Sequence, residues 1–157
     1  MVSVYIETSI ISHATSRPSS SPDIIALQMD ARKWWELERP KFSLVTSQLV
    51  IKEASTGDLN AAVARLKLLQ GIPLVPITNE VRDIASALVA ASLMPQKSAA
   101  DALHVAAAAF AGVDYRLIQN CKHIANAHIL PRVYKILAAY GCHGTLICTP
   151  AEFLGDT

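Results

Sequence analysis

Short β-branched runs alternate with longer stretches of helical period along nearly the whole chain, and this alternation restricts the fold more than any other feature. Residues 2–6 form the first β-rich run, and 42–46 the second, after Pro40 has stopped a helix over 23–38. That helix opens with Ser21 as N-cap and Pro22 at its first position, behind the polar loop 16–22. Ile24, Leu27, Ala31, Trp34 and Trp35 supply its inner stripe, so the tryptophan pair reads as core or interface rather than as a base-stacking platform. Helices are expected over 47–54 and 59–69, with Thr56-Gly57-Asp58 between them. The piece 72–77 is extended but confined to a sheet edge by Pro73 and Pro76. Helices over 81–93 and 98–111 follow, then a strand at 116–119, a helix at 131–140 and a last strand at 146–148. Gly112 and Gly141 close two of the helices. Such an order predicts an α/β fold, a three-layer α/β/α sandwich around a central, mostly parallel sheet.

A chain of 157 residues is expected to form one domain over 1–157. At that size folding buries roughly 70% of the unfolded surface, which gives a full core without disulfide staples. Hydrophobic residues make up 52% and charged residues 17%, yet Glu7, Asp101, His104 and Arg116 break the longest apolar stretches before they reach membrane-spanning length. The start has neither the basic segment nor the apolar run of a secretory signal, so a cytoplasmic protein with no membrane partner is expected. Three cysteines, Cys121, Cys142 and Cys148, read as reduced thiols in that compartment. Cys142, His143 and Cys148 lack a fourth ligand at zinc spacing. The net charge of +1 argues against a strongly basic nucleic-acid binder and leaves a local basic patch open.

The carboxylates carry the functional signal. Glu7 stands directly after the first strand, where parallel α/β sheets bind ligands. The plain alternative is an exposed acid favouring a helix dipole. Asp101 falls on the first turn of a helix whose only other polar residue up to Gly112 is His104. Ser98 and Asp101 together resemble a capping box, but a helix apolar all round is buried, and a buried carboxylate needs a cation or several donors. Glu53 closes the run Leu49-Val-Ile-Lys-Glu and says little alone; Asn120 follows its strand as Glu7 follows the first. In a parallel sheet Glu7, Asp101 and Asn120 can reach one rim. Clustered hard oxygens point to Mg²⁺ or Mn²⁺, and to hydrolysis of a phosphodiester by metal-activated water. No Asp-x-Asp follows the first strand, which disfavours an aspartyl phosphatase.

Four segments, in order, resemble the motifs of the PIN-domain family, and within it the VapC-like toxins of toxin–antitoxin pairs. They are Tyr5-Ile-Glu-Thr-Ser-Ile-Ile-Ser12, Val50-Ile-Lys-Glu-Ala-Ser-Thr-Gly-Asp58, Ala99-Ala-Asp-Ala-Leu-His-Val-Ala106 and Tyr115-Arg-Leu-Ile-Gln-Asn-Cys-Lys-His-Ile-Ala-Asn126. The resemblance implies a Mg²⁺- or Mn²⁺-dependent endoribonuclease acting on RNA, dimeric, and silenced by a cognate antitoxin. It casts Glu7, Glu53 and Asp101 as metal ligands, with Asn120 ligating the ion or orienting water. Thr8, Ser9, His104 and Lys122 are candidates for supporting or substrate contacts, His104 otherwise being a satisfied core or cleft residue. Two departures are visible: glutamate replaces the usual aspartate at Glu7, and Ile118 and Gln119 precede an amide where the family often has threonine and an acid. One negative charge fewer predicts weaker metal binding. The alternative is a degenerate PIN module that binds RNA or a protein without cutting.

Overall fold

The computed structural model describes residues 1–91, 93, 99–119 and 127–155. The elements run β1 (Ser3–Ile6), α1 (Thr8–Thr15), α2 (Pro22–Lys33), β2 (Ser43–Ser47), α3 (Gln48–Ala54), α4 (Leu59–Leu69) and β3 (Leu74–Val75), then α5 (Asn79–Ala90), α6 (Ala99–Phe110), β4 (Tyr115–Leu117), α7 (Leu130–Ala139), β5 (Leu146–Cys148) and α8 (Pro150–Leu154). All strand pairings are parallel, in the order β3-β2-β1-β4-β5, with helices flanking the sheet as a three-layer α/β/α sandwich. The chain winds outward from β1 to β2 and β3, then returns to the other side of β1 for β4 and β5. Strand order therefore reverses between β1 and β4, and in open parallel sheets that reversal is where ligands bind, beyond the carboxyl ends of the strands.

Most expected elements form within a residue or two of their expected ends. The proline-limited piece is the two-residue edge strand β3, and Gly112 and Gly141 take the left-handed φ of 72° and 78° that ends a helix. Three features differ. The helix expected over 23–38 stops at Lys33 and widens into a π-helical turn at Trp34–Glu38, followed by a 3-10 turn at Arg39–Lys41. The wider turn leaves Trp34 fully buried and sets Trp35 under the Arg39 guanidinium, 4.7 Å from the ring centre. Helix α1 begins directly at Thr8, where only a helix start had been considered. Helix α8 was not expected at all, because five residues are too short to show a period. Its signal is local: Thr149 and Glu152 form a capping box with Pro150 at the first position.

Trp34 stacks on Phe42 at 6.0 Å, and Phe153 of α8 meets Trp34, Phe42 and Tyr115 edge-on. Phe42 precedes β2 and Tyr115 opens β4, so this aromatic cluster seals the amino ends of the strands. The opposite rim is left for polar chemistry. Alanines of α6 allow that helix to lie close on α5, and residues 104–109 are all buried. Among the described residues no helix is long and apolar enough to cross a membrane.

Cys148 lies buried in β5, where burial pushes its thiol up to about 12, whereas Cys142 is partly exposed. At pH 8 only about one part in ten thousand of such a thiol is thiolate. Iodoacetamide at that pH should modify Cys142 in the folded protein and reach Cys148 only after denaturation, as read by peptide mass spectrometry. Equal labelling of both in the native state would contradict this packing.

Candidate active site

Glu7 leaves the carboxyl end of β1 and acts as N-cap of α1. Its Oε1 accepts from the Ser9 backbone N–H at 3.1 Å. The side chain is not the exposed acid of the plain reading: the residue is only 6% exposed, and its Oε2 accepts from Arg116 Nη2 at 2.6 Å. Tyr5 and Arg116 are register partners on β1 and β4, so their side chains leave the sheet on one face. That alignment brings the guanidinium to the Glu7 carboxylate.

Glu53, near the end of α3, joins the other motifs. Its Oε1 accepts from Thr8 Oγ1 at 2.6 Å and from His104 Nε2 at 2.7 Å. With Nε2 donating to the carboxylate, Nδ1 meets the Tyr5 hydroxyl at 2.8 Å, and Tyr5 in turn meets Ser47 Oγ at 2.7 Å. Ser47, Tyr5, His104, Glu53 and Thr8 thus form one hydrogen-bonded chain from the end of β2 through α6 to the start of α1. Burial pushes the Tyr5 phenol up to about 12, which keeps it a donor at physiological pH. Burial also pushes the Glu53 carboxyl upward, but the His104 and Thr8 bonds and the charge of Arg116 outweigh it and hold the group below its ordinary range.

Asp101 sits on the first turn of α6, one turn before His104. Its carboxyl is raised, first by burial and then by the charge of Glu7; Arg116 and His104 oppose this and Glu53 adds to it. The acid therefore lies within electrostatic reach of both other carboxylates. Ser9 Oγ accepts from the Gln119 backbone N–H at 3.1 Å, and Thr46 Oγ1 donates to the Ile6 carbonyl at 2.9 Å; these bonds lock the exits of β4, β1 and β2 together.

The structure thus brings Glu7, Glu53, Asp101, Thr8, Ser9 and His104 to one rim. Asn120 and Lys122, with Ser98, His123 and Asn126, lie outside the described residues. His104 is both the satisfied core histidine of the plain reading and the group that holds Glu53. Sequence reasoning missed Arg116, Tyr5 and Ser47. Arg116 left a signal, a cation inside the otherwise apolar run Tyr115-Arg-Leu-Ile118, whereas Tyr5 and Ser47 left none.

A PIN domain model matches residues 4–135, from β1 into α7. The chain belongs to the PIN-domain family. The match spans Glu7, Glu53 and Asp101 and ends before β5 and α8. PIN domains are typically nucleases that bind nucleic acid and use divalent metal ions. No curated protein matches the chain.

The donor set fits such an ion in kind. Carboxylates of Glu7, Glu53 and Asp101 are hard oxygen ligands, and the buried Gln119 Oε1 has no hydrogen-bond partner among the described residues. In spacing the set is looser: among the described residues, no three His, Cys, Asp or Glu side chains are gathered closely enough to share one ion.

Proposed function

We propose that this PIN domain is a VapC-like, Mg²⁺- or Mn²⁺-dependent endoribonuclease in which Glu7, Glu53, Asp101 and Asn120 form the working site. The observation that carries the reading is the double acceptance at Glu53. One carboxylate oxygen is bonded both to Thr8, beside Glu7, and to His104, one turn from Asp101. That arrangement holds acids from three separate motifs to one rim at the strand-order reversal. Glu7, Glu53 and Asp101 would have to draw closer to hold the ion, which would supply an acidified water and charge compensation on the phosphate. His104 and Thr8 fix the Glu53 oxygen, Tyr5, itself bonded to Ser47, fixes the His104 ring, and Ser9 orients Glu7 through its backbone N–H. Asn120 offers an amide oxygen or a donor for orienting water.

Water as nucleophile has no need of the ribose 2′-hydroxyl, so the products should carry no 2′,3′-cyclic phosphate. Incubating RNA with the protein and Mn²⁺ should give cleavage that EDTA abolishes and added Mn²⁺ restores. Cleavage that survives chelation, or leaves cyclic phosphate ends, would sink the proposal. The toxin assignment, with an antitoxin partner and a homodimer, rests on the four motifs standing in order. It requires that induced expression arrest bacterial growth.

One observation favours a second reading, a module that binds without cutting: Glu7 is already engaged by Arg116. Such a module would show no calorimetric site for millimolar Mn²⁺.

A further inference from the structure

Arg116 is 0% exposed in the middle of the sheet, and of its guanidinium nitrogens Nη2 alone is paired, to Glu7. Among the described residues Nε and Nη1 have no hydrogen-bond partner, though both are buried. An ion pair kept for stability alone satisfies its remaining donors, because desolvating an arginine is costly unless each N–H finds an acceptor. This one leaves two of three nitrogens unmatched. What surrounds it is negative charge: Glu7 in contact, with Glu53 and Asp101 close enough for Arg116 to act on their carboxyls. Tyr5 and the Cys148 thiol beside it are neutral at physiological pH.

We propose that Arg116 is a resident cation of the acidic rim: it occupies Glu7 until a divalent ion displaces it, and so sets the metal affinity of the site. The proposal rests on the metal-dependent reading above and deepens it. Three carboxylates face one guanidinium, so negative charge remains to attract an ion. That ion must nevertheless compete for Glu7 and bear the repulsion of a fixed positive charge. Arg116 is here a positioning residue, acting through Glu7.

Calorimetric titration of the full chain with Mn²⁺ tests this. Arg116→Met keeps an unbranched stem that ends about where Nε stands and removes the charge, and it should bind Mn²⁺ about tenfold more tightly or better, given the repulsion of one charge on a divalent ion a few ångströms away. Arg116→Lys retains the charge and should stay near the wild type. Equal affinity of wild type and Arg116→Met overturns the proposal, as does equal tightening by both variants, since shape and not charge would then matter. A second measurement needs only the wild-type fold. The Arg116 Nε–H resonance, assigned by its loss in Arg116→Lys, should move as Mg²⁺ saturates the protein, and a resonance that stays fixed at saturation overturns the proposal. No Mn²⁺ binding by any of the three proteins overturns the metal-dependent reading itself, and this inference with it.

Discussion

Asp101→Asn should reduce Mn²⁺-dependent RNA cleavage by a factor on the order of 10²–10³, the range for losing one group matched to charge in the transition state. Asparagine has the size of aspartate and can still sit on the first turn of α6, so the loss reports charge rather than packing. Stability should not fall. The Asp101 carboxyl is raised in the folded protein by burial and by Glu7, so its ionised form opposes folding once the pH exceeds the unfolded value. A neutral amide removes that opposition at pH 7, and the loss of a favourable helix-dipole contact offsets part of the gain. Single-turnover cleavage assays beside thermal melts separate the two effects. Full activity in the variant removes Asp101 from the chemistry; lost activity with a collapsed melting temperature assigns it to the fold.

Glu7→Ala should destabilise the protein by about 3–5 kcal/mol, the usual cost of removing one partner of a buried ion pair. Among the described residues Arg116 already carries two unpartnered nitrogens, and truncating Glu7 removes the partner of the third. For a chain of this length that corresponds to a melting temperature lower by on the order of 10 °C. The double variant Glu7→Ala with Arg116→Met should recover much of the loss, because it removes the unpaired charge. A single variant that melts with the wild type would mean the guanidinium finds another acceptor.

How much of this was legible in the sequence varies with the distance over which each signal acts. The strands and most helices were readable because period, proline stops and glycine closures act within a few residues. Helix α8 and the π-helical turn at Trp34–Glu38 were not. The first is too short to display a period, and the second is decided by where Trp34 must sit against Phe42 and Phe153. For the site, Glu7 and Asp101 stood out because each is a charge at a place that burial should keep apolar. Glu53 gave no such sign and depended on motif order. Its role shows only in the bonds from Thr8 and His104.

The sequence alone determined the alternation of strand and helix, the parallel sandwich that follows from it, and the presence of acids at the ends of its elements. Tertiary structure decided what those acids touch. Glu7 meets Arg116 across 109 positions of chain, and Glu53 meets His104 across 51. The first contact depends on β4 returning to the far side of β1 in a register that aligns Tyr5 with Arg116, the second on α6 packing where α3 ends. Local patterns fix which residues face a sheet, but strand order and register arise from packing the whole core. A cation placed against an acid by that packing therefore cannot be read from either residue's neighbours.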